Sequence, residues 1–334
     1  MTNFSRRGQA HPKVRVAAIA AAVLAMAWTA LASAQAYPNR PVRLVVPFAA
    51  GTNVDNSARQ IAPKLSEALG QPVVIENKPG AGGTIASALV AGAKPDGYTV
   101  LLGNAPTHGL APSIYKDLSY DPVKDFTAIG RIDTAVYVLG VSTKVPATTV
   151  TELIAYARAH PGKLNYASTG IGTGTHLAGA RFAELAGIDI RHVAYNAVGP
   201  MTTDLNSGEV SMIFYPYQPL KPMVEIGAVR LVATTGHKRA SYLANLPTMA
   251  EAGLPGFVAF AWHGLYGPAG MAPKDVDVMY AALAKAVSDP ALRPALLSMG
   301  AELDLAPPAE FAAFTKSEVV RFATLVKAAN VKAE

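Results

Sequence analysis

The chain has 334 residues, a formal net charge of +6 and no cysteine. The lack of cysteine excludes disulfide bonds, thiol catalysis and cysteine-ligated metal sites. A length above 300 residues predicts two compact units rather than one hydrophobic core.

The first 36 residues have the pattern of a secretory signal peptide. Four basic residues, at positions 6, 7, 13 and 15, lead into an apolar run over residues 16–31, which ends in the small residues ASAQA. This order favours export and cleavage after Ala36, with cleavage after Ala34 as the alternative. An uncleaved membrane anchor is the competing interpretation, although a spanning helix usually needs about 20 apolar residues. No cysteine follows the apolar run, which excludes a lipid-anchored form.

Cleavage at Ala36 would remove four of the six net positive charges, so that the remaining 298 of the 334 residues would carry a net charge of +2. The basic character of the whole chain therefore gives no indication of nucleic-acid binding. Later apolar stretches are short and are interrupted by Pro, Gly or charged residues. The sequence consequently predicts no second membrane span.

Short apolar runs alternate with segments of helical periodicity in the rest of the chain. Such runs, bounded by turn residues, are typical of strands buried on both faces. Gly70 is the predicted end of the first helix, which Pro63 should kink. The alternation predicts an α/β fold with mostly parallel sheets and ligand sites at the carboxyl ends of strands. In chain order we predict strand 42–47, helix 54–69, strand 72–76, helix 84–93, strand 98–103, strand 136–141, helix 150–159, strand 164–167, helix 175–186 and strands 192–194, 210–214 and 229–234.

The C-terminal part has a different pattern. After Trp262 the sequence predicts a loop rich in Gly and Pro, and then three helical segments with little sign of strands. The last segment has an apolar face at helical spacing, as expected of a helix packed on a core. The residues of that face are Phe311, Phe314, Phe322, Leu325 and Val326.

The first candidate site is the loop of residues 47–55, PFAAGTNVD, between the first predicted strand and helix. Gly51 allows a close turn, and Thr52 or Asn53 can cap the helix. The free N–H groups at a helix start attract an anion through hydrogen bonds and the macrodipole. An ordinary capped turn would contain the same residues, so this loop alone leaves both interpretations open.

The second candidate is the loop of residues 168–176, STGIGTGTH, in which Gly alternates with hydroxyl residues before a helix. Many N–H and O–H donors converge there, which favours an anion site. The loop lacks both the GK[ST] of a P-loop and the spacing of a dinucleotide fingerprint, so we predict no cofactor. His176 follows Ser168 by eight residues, but no G-x-S-x-G surrounds Ser168 and no acidic partner is identifiable. A hydrolase is therefore disfavoured.

Other residues give weaker indications. Residues 77–84, NKPGAGGT, also open a helix, but Pro and Gly predict a turn there under any function. Of the seven histidines, only His176 and His192 are expected near each other, and none has metal-ligand spacing, so we predict no metal site. Candidates for the wall of a pocket, or simply for the core, are Trp262, Tyr195, Tyr215 and Tyr217.

Seven motifs together resemble one family, the Bug-type periplasmic solute-binding proteins of tripartite tricarboxylate transporters. Each motif is weak alone, but they occur in order over nearly the whole chain after the leader. They are YPNRPVRLVVPF at residues 37–48, VIENKPGAGG at 74–83, PDGYT at 95–99, STGIGTGTHL at 168–177, HVAY at 192–195, LPTMAEAGLPG at 246–256 and WHGL at 262–265.

The resemblance implies a two-lobed periplasmic-binding-protein-like fold, with the ligand cleft between the lobes. Lobe one would comprise residues 36–134 and 263–334, and lobe two residues 135–262. The first two loops would grip a carboxylate from opposite lobes, with one further acidic residue near the cleft. The ligand-binding residues so implied are Phe48, Ala49, Gly51, Thr52, Asp55, Ser168, Gly170, Gly172, Thr173 and Asp204. Thr52 and Ser168 are expected to donate hydrogen bonds to the carboxylate.

Two departures from the family pattern concern the ligand rather than the architecture. Residues 49–52 are AAGT where the family usually has PPGG, and residues 196–198 are NAV where it commonly has a cation followed by two glycines. An uncharged cradle suits a single carboxylate held by N–H and O–H donors. Aliphatic di- or tricarboxylates, acidic amino acids and aromatic acids all remain open as ligands.

The predicted function is that of a monomeric periplasmic receptor that delivers a small carboxylate to the membrane permease subunits of a tripartite tricarboxylate-type transporter. It would be neither an enzyme nor a nucleic-acid-binding protein, and it would close on its ligand by a hinge motion. A sensor that presents its liganded form to a membrane signalling protein is the first alternative, because it would use the same closed lobes. A secreted hydrolase is the second.

Overall fold

The computed structural model describes residues 37–195 and 197–328. Its contacts divide the chain into two units, Met1–Asn39 and Arg40–Glu334. The predicted signal peptide, residues 1–36, lies outside the described residues, as does Asn196. None of the described helices is both long enough and apolar enough to cross a membrane.

Helices and strands alternate through most of the second unit. The helices are α1 Asn53–Leu69, α2 Thr84–Ala91, α3 Val150–Ala159, α4 Gly174–Ala186, α5 Val198–Ser207, α6 Tyr217–Glu225, α7 Pro273–Val287, α8 Leu292–Ser298 and α9 Pro308–Ala328. The strands are β1 Val42–Val46, β2 Val73–Asn77, β3 Thr99–Asn104, β4 Phe126–Val136, β5 Val138–Ser142, β6 Asn165–Ser168, β7 Arg191–Ala194, β8 Met212–Tyr215, β9 Val229–Thr234, β10 Phe260–Pro268 and β11 Glu302–Ala306. A π-helix, Pro106–Leu110, and one α-helical turn, Ala111–Ile114, follow β3.

The strands form two sheets flanked by helices, which confirms the predicted α/β, periplasmic-binding-protein-like class. One sheet has the order β11-β4-β10-β3-β1-β2 and the other the order β7-β6-β8-β5-β9. The sheets are mixed rather than mostly parallel: β3, β1 and β2 run parallel, but β10, β4 and β11 join antiparallel. Two parallel strands that follow each other in one sheet need a crossover connection. β4 and β10 are connected differently, because the chain leaves the six-stranded sheet after β4 and re-enters it at β10.

Two strands of the C-terminal part were not predicted. The expected Gly/Pro-rich loop after Trp262 is instead β10, which pairs with β4 from Phe260 to Pro268. Gly264 in this strand is a packing residue, because a side chain there would fall on the ring of Phe311. The second unpredicted strand, β11, is a partly exposed edge strand.

The chain leaves the six-stranded sheet through one residue, Tyr137, and returns to it in the stretch between Thr234 at the end of β9 and the start of β10. β4 ends at Val136 and β5 begins at Val138, and the return occurs before β10, whose first residue is Phe260. Thr235, which is fully buried, ties the two passages together: its hydroxyl lies within hydrogen-bond distance of the carbonyls of Tyr137 and Ala259. The residue boundaries of the two lobes remain a prediction.

Each sheet has its own hydrophobic core. Trp262, Tyr266 and Phe311 are buried with the six-stranded sheet, and Phe182 and Phe214 with the five-stranded sheet. The predicted apolar face of α9 packs into the first core. Its burial explains why the last helix is held against the strands that lead to the candidate site.

Candidate ligand-binding cleft

A cavity of about 550 Å³ lies at the carboxyl ends of β1, β3 and β6. This volume falls in the range of small-molecule sites. Both sheets contribute to its wall. The lining residues lie within segments 48–57, 104–115, 135–137, 169–175, 260–263 and 299–301, and they also include Gly82, Pro216 and Phe322. Among the described lining residues none is Lys, Arg, Asp or Glu, so a bound anion would meet backbone dipoles and hydrogen-bond donors, with His263 as the one imidazole in the wall.

Two helices begin at this cavity, and a threonine caps each of them in nearly the same conformation. Thr52 before α1 has φ −74° and ψ 162°, and Thr173 before α4 has φ −74° and ψ 161°. Each hydroxyl accepts a hydrogen bond from the backbone N–H three residues on, at 3.5 and 3.4 Å respectively. Helix geometry leaves the preceding N–H groups without an intrahelical partner. Those of Val54, Gly174 and Thr175 belong to lining residues.

Asp55 lies behind the first helix start and holds its loop. Its carboxylate is buried and accepts hydrogen bonds from the N–H of Gly51 at 2.8 Å, from Nε of Arg59 at 2.8 Å and from Nδ2 of Asn77 at 2.9 Å. The hydrogen bond from Arg59, helped by those from Gly51 and Asn77, lowers the pKa of Asp55 to about 2 against the opposing effect of burial. Asn77 also donates to the carbonyl of Phe48 at 2.9 Å, so this group fixes the loop to β2.

A stack of rings lies behind the second helix start. His176 and His192, predicted to be neighbours, stack with centroids 3.9 Å apart, and Tyr166 lies against His192 at 5.1 Å. Nδ1 of His176 accepts a hydrogen bond from the N–H of Gly172 at 3.0 Å. Burial, followed by the charge of His192, lowers the pKa of His176 to about 4. The ring is therefore neutral near pH 7 and serves as an acceptor that shapes the loop.

Ser168 and His192 lie within hydrogen-bond distance, with Oγ and Nε2 2.6 Å apart. This resembles a nucleophile and base, but Ser168 is fully buried and does not line the cavity. No carboxylate among the described residues bonds His192, whose pKa is lowered by burial. Neither member of the pair lines the cavity, and Ser168 stabilises the turn by donating to the carbonyl of Gly170 at 3.0 Å.

Several lining residues were not predicted from the sequence. Thr169 and Thr175 lie in the second loop, next to predicted residues, and their hydroxyls are 3.2 Å apart. Asn104 ends β3, Tyr137 links β4 to β5 and His263 lies in β10, and the sequence predicted none of them as a ligand-binding residue. Trp262 also lines the cavity, as one interpretation of the sequence allowed, and donates Nε1–H to buried Glu318 at 2.8 Å. The three candidate tyrosines Tyr195, Tyr215 and Tyr217 are not among the lining residues.

The described residues contain no group of three or more His, Asp or Glu side chains that could hold a metal ion. The donors around the cavity are instead N–H groups, hydroxyls and amides. A sequence model described as "Tripartite tricarboxylate transporter family receptor", TctC, matches residues 57–331. This chain belongs to the TctC family. The resemblance drawn from the seven motifs is thereby confirmed, and the family is one of solute-binding receptors rather than enzymes.

Relatives of this TctC receptor match over nearly its whole length. Protein BugT of Bordetella pertussis is 31% identical over 301 residues, covering 90% of this chain and 92% of BugT. A solved R. palustris protein with adipate is 34% identical, with a TM-score of 0.75, covering 89% of this chain and 100% of that one. MatC from Rhodopseudomonas palustris with bound malate is 33% identical, with a TM-score of 0.70 and coverage of 87% and 100%. The two-lobed α/β architecture is therefore shared with solved receptors.

Four of the ten predicted ligand-binding residues of the TctC receptor line the cavity: Phe48, Thr52, Gly172 and Thr173. The other six do not. Ala49, Gly51, Asp55, Ser168 and Gly170 instead take part in the hydrogen bonds that shape the two loops. Asp204 is on α5 and accepts a hydrogen bond from the hydroxyl of Tyr195 at 2.6 Å. Burial and this bond raise the pKa of Tyr195 to about 12.

Hydroxyl protons expected for the ligand are already used within the loops. The two expected donors were Thr52, which donates to the carbonyl of Ala49 at 2.8 Å, and Ser168, which donates to the carbonyl of Gly170 at 3.0 Å. The hydroxyl of Thr173 also donates to the carbonyl of Gly170, at 2.7 Å. A hydroxyl has a single proton to donate. In this arrangement the unused donors at the two helix starts are consequently the backbone N–H groups rather than the threonine side chains.

Proposed function

We propose that this TctC-family chain is a periplasmic receptor that captures a small carboxylate between its two sheets and delivers it to the membrane permease subunits of a tripartite tricarboxylate-type transporter. The observation that carries the proposal is the pair of threonine-capped helix starts that face one cavity, whose described lining contains no Lys, Arg, Asp or Glu. Adipate and malate in the solved relatives support a carboxylate ligand.

The carboxyl group would bridge the two helix starts. One oxygen would accept from the N–H of Val54 on α1, and the other from the N–H groups of Gly174 and Thr175 on α4. Each helix start contributes roughly half a positive charge from its aligned peptide dipoles. Two such ends together balance one carboxylate, which explains how a lining without Lys or Arg among its described residues can bind an anion.

Under this proposal the ten predicted residues have three roles. The lining residues Phe48, Thr52, Gly172 and Thr173 contact the ligand or orient the N–H groups that do. Ala49, Gly51, Asp55, Ser168 and Gly170 hold the loops, and Asp204 fixes Tyr195. The receptor would act as a monomer and would need no cofactor, because the chemistry is binding and release.

A thermal-shift screen of residues 37–334 against aliphatic dicarboxylates, tricarboxylates, acidic amino acids and aromatic acids tests the proposal. A ligand that binds only the native state raises the unfolding temperature by mass action. We expect at least one carboxylate to stabilise the protein, and its uncharged amide analogue to have no effect. Stabilisation by no carboxylate at millimolar concentration would contradict the proposal, and chemical conversion of the ligand during incubation would favour an enzyme.

A further inference from the structure

Three polar residues lie side by side across the strands next to the cavity. His263 on β10 faces Asp133 on β4 and Asn104 on β3 in the sheet register. Residues directly opposite one another in neighbouring strands have side chains on the same face. The row Asp133–His263–Asn104 therefore presents three polar side chains to one side of the six-stranded sheet, and His263 and Asn104 line the cavity.

The first two members form a buried pair. Nδ1 of His263 lies 2.8 Å from Oδ1 of Asp133, which is fully buried, and the other carboxylate oxygen of Asp133 has no hydrogen-bond partner. A buried carboxylate with one partner is costly unless that partner is charged. Asp133 thus favours the imidazolium form of His263, in which both ring nitrogens carry protons. Nε2 has no hydrogen-bond partner among the described residues, and His263 is part of the cavity wall.

The third member supplies a donor of fixed orientation. Oδ1 of Asn104 accepts hydrogen bonds from the N–H of Thr107 at 3.3 Å and from its hydroxyl at 3.1 Å. A backbone N–H can only donate, so the amide oxygen must point to Thr107 and the amide NH₂ must point away from it. That NH₂ group has no partner among the described residues, and Asn104 is nearly buried at the cavity wall.

We propose that His263, charged by Asp133, and the NH₂ group of Asn104 form a second anchoring site, which binds the distal carboxylate of a dicarboxylate ligand and couples its binding to a proton. This rests on the proposed function, in which the first carboxylate lies between the helix starts of α1 and α4. Among the described lining residues, His263 is the one side chain that can carry a positive charge near neutral pH.

The direction of the pH dependence follows from the neighbours of His263. Burial alone would lower its pKa, but the charge and the hydrogen bond of Asp133 outweigh burial and raise it above 6.5. Below that raised pKa, Nε2–H donates to the ligand. Above it, the remaining proton stays on Nδ1 facing Asp133, and the Nε2 lone pair repels a carboxylate. Affinity for a dicarboxylate should therefore fall as pH rises through the pKa of His263.

Other charged groups near the row have partners of their own. Glu318 on α9 binds Trp262 and Arg321, and Asp304 on β11 binds Arg131. The other titratable side chains in the described lining are Tyr115 and Tyr137, and burial raises the pKa of Tyr137 to about 12. Tyr137 therefore stays protonated between pH 5 and 9, and we assign a transition of affinity in that range to His263.

Titration calorimetry of residues 37–334 with matched ligands tests the inference. The probes are the straight-chain dicarboxylates from succinate to suberate, each paired with the monocarboxylate of equal carbon number, at pH 5.5, 7 and 8.5. A hydrogen bond to a charged group corresponds to about ten- to a hundredfold in affinity. We expect at least one dicarboxylate to bind that much more tightly than its monocarboxylate at pH 5.5, and the advantage to shrink at pH 8.5.

Three variants separate binding from folding. His263→Gln should abolish both the dicarboxylate advantage and its pH dependence. Asn104→Asp keeps the acceptor for Thr107 but repels the distal carboxylate, so it should also remove the advantage. The exposed His237 provides the control, and His237→Gln should behave as the unaltered protein.

The calorimetry distinguishes failure of the second site from failure of the receptor function. Equal affinity for both members of every pair, or a dicarboxylate advantage that is independent of pH and survives His263→Gln, would overturn the second site and leave the receptor function standing. Binding of no probe of either kind would overturn the receptor function itself, and the second site with it. If His263→Gln does not fold, Asn104→Asp and the pH profile of the unaltered protein decide.

Discussion

At the scale of single residues, Thr173 does two things at once: it caps α4 and it lies in the cleft. Removing its hydroxyl in Thr173→Ala should cost about 1 kcal/mol of stability, as for other threonine caps. It should also weaken carboxylate binding about tenfold, because the N–H groups of Gly174 and Thr175 would no longer be held toward the cavity. Chemical denaturation and calorimetry measure the two effects separately.

Thr149 offers a matched control for this prediction. It caps α3 through the same bond, accepting from the N–H of Glu152 at 3.1 Å, but it does not line the cavity. Thr149→Ala should lose similar stability and keep full affinity. Equal losses of affinity in both variants would mean that the cap acts through global stability and not through the site.

The lowered pKa of Asp55 predicts how the stability of the protein changes in acid. Its pKa is about 2 in the folded protein, below the ordinary value of 3.8, so the unfolded chain takes up its proton first as pH falls. The stability that Asp55 contributes is present above pH 4 and is lost as pH falls toward 2. In Asp55→Asn, the unfolding temperature should be lower at pH 6 and should fall less steeply between pH 4 and 2. Parallel pH profiles for the variant and the unaltered protein would contradict this account.

At the scale of elements, the packing of α4 on its sheet depends on Gly179. Alanine is favoured over glycine inside a helix by about 1 kcal/mol. However, a Cβ at position 179 would fall on the ring of Tyr166, which is buried and stacked against His192. Overpacking in a rigid core costs about 1–3 kcal/mol, so Gly179→Ala should be destabilising despite the better propensity.

Gly199 in α5 is the matched control, because a Cβ there would meet no atom within 4 Å. Gly199→Ala should leave the free energy of unfolding unchanged or slightly increased. Urea denaturation of the two variants measures both effects. Gly179→Ala as stable as the unaltered protein would show that the ring of Tyr166 can move, and that the stack behind the second loop is loose.

The sequence could predict those elements whose boundaries are set by local signals. Helix α1 and helix α4 were found within one or two residues, because their caps, Gly stops and apolar spacing are local signals. Strand β10 was missed because Gly264, Gly267 and Pro268 are typical of a loop, and only the position of Phe311 shows why glycine is needed. The two candidate loops could be recognised for the same local reason. The His263–Asp133 pair could not, because 130 residues separate its members.

At the scale of the whole molecule, the short passage at Tyr137 between β4 and β5 suits a hinge. A ligand that bridges both helix starts contacts the closed state more than the open one, so it must shift the population toward closure. Small-angle scattering of residues 37–334 should show a smaller radius of gyration with a saturating ligand, approaching the roughly 19 Å of a compact chain of this length. An unchanged radius would argue against closure.

The central claim is that one carboxylate joins two helix starts that belong to different sheets. The most direct measurement is a crystal structure of residues 37–334 with a carboxylate selected by the thermal-shift screen. We predict one carboxyl group whose oxygens lie about 2.7–3.2 Å from the backbone nitrogens of Val54 on one side and of Gly174 or Thr175 on the other. A carboxyl group bound to only one of the two loops, or bound outside this cavity, would contradict it.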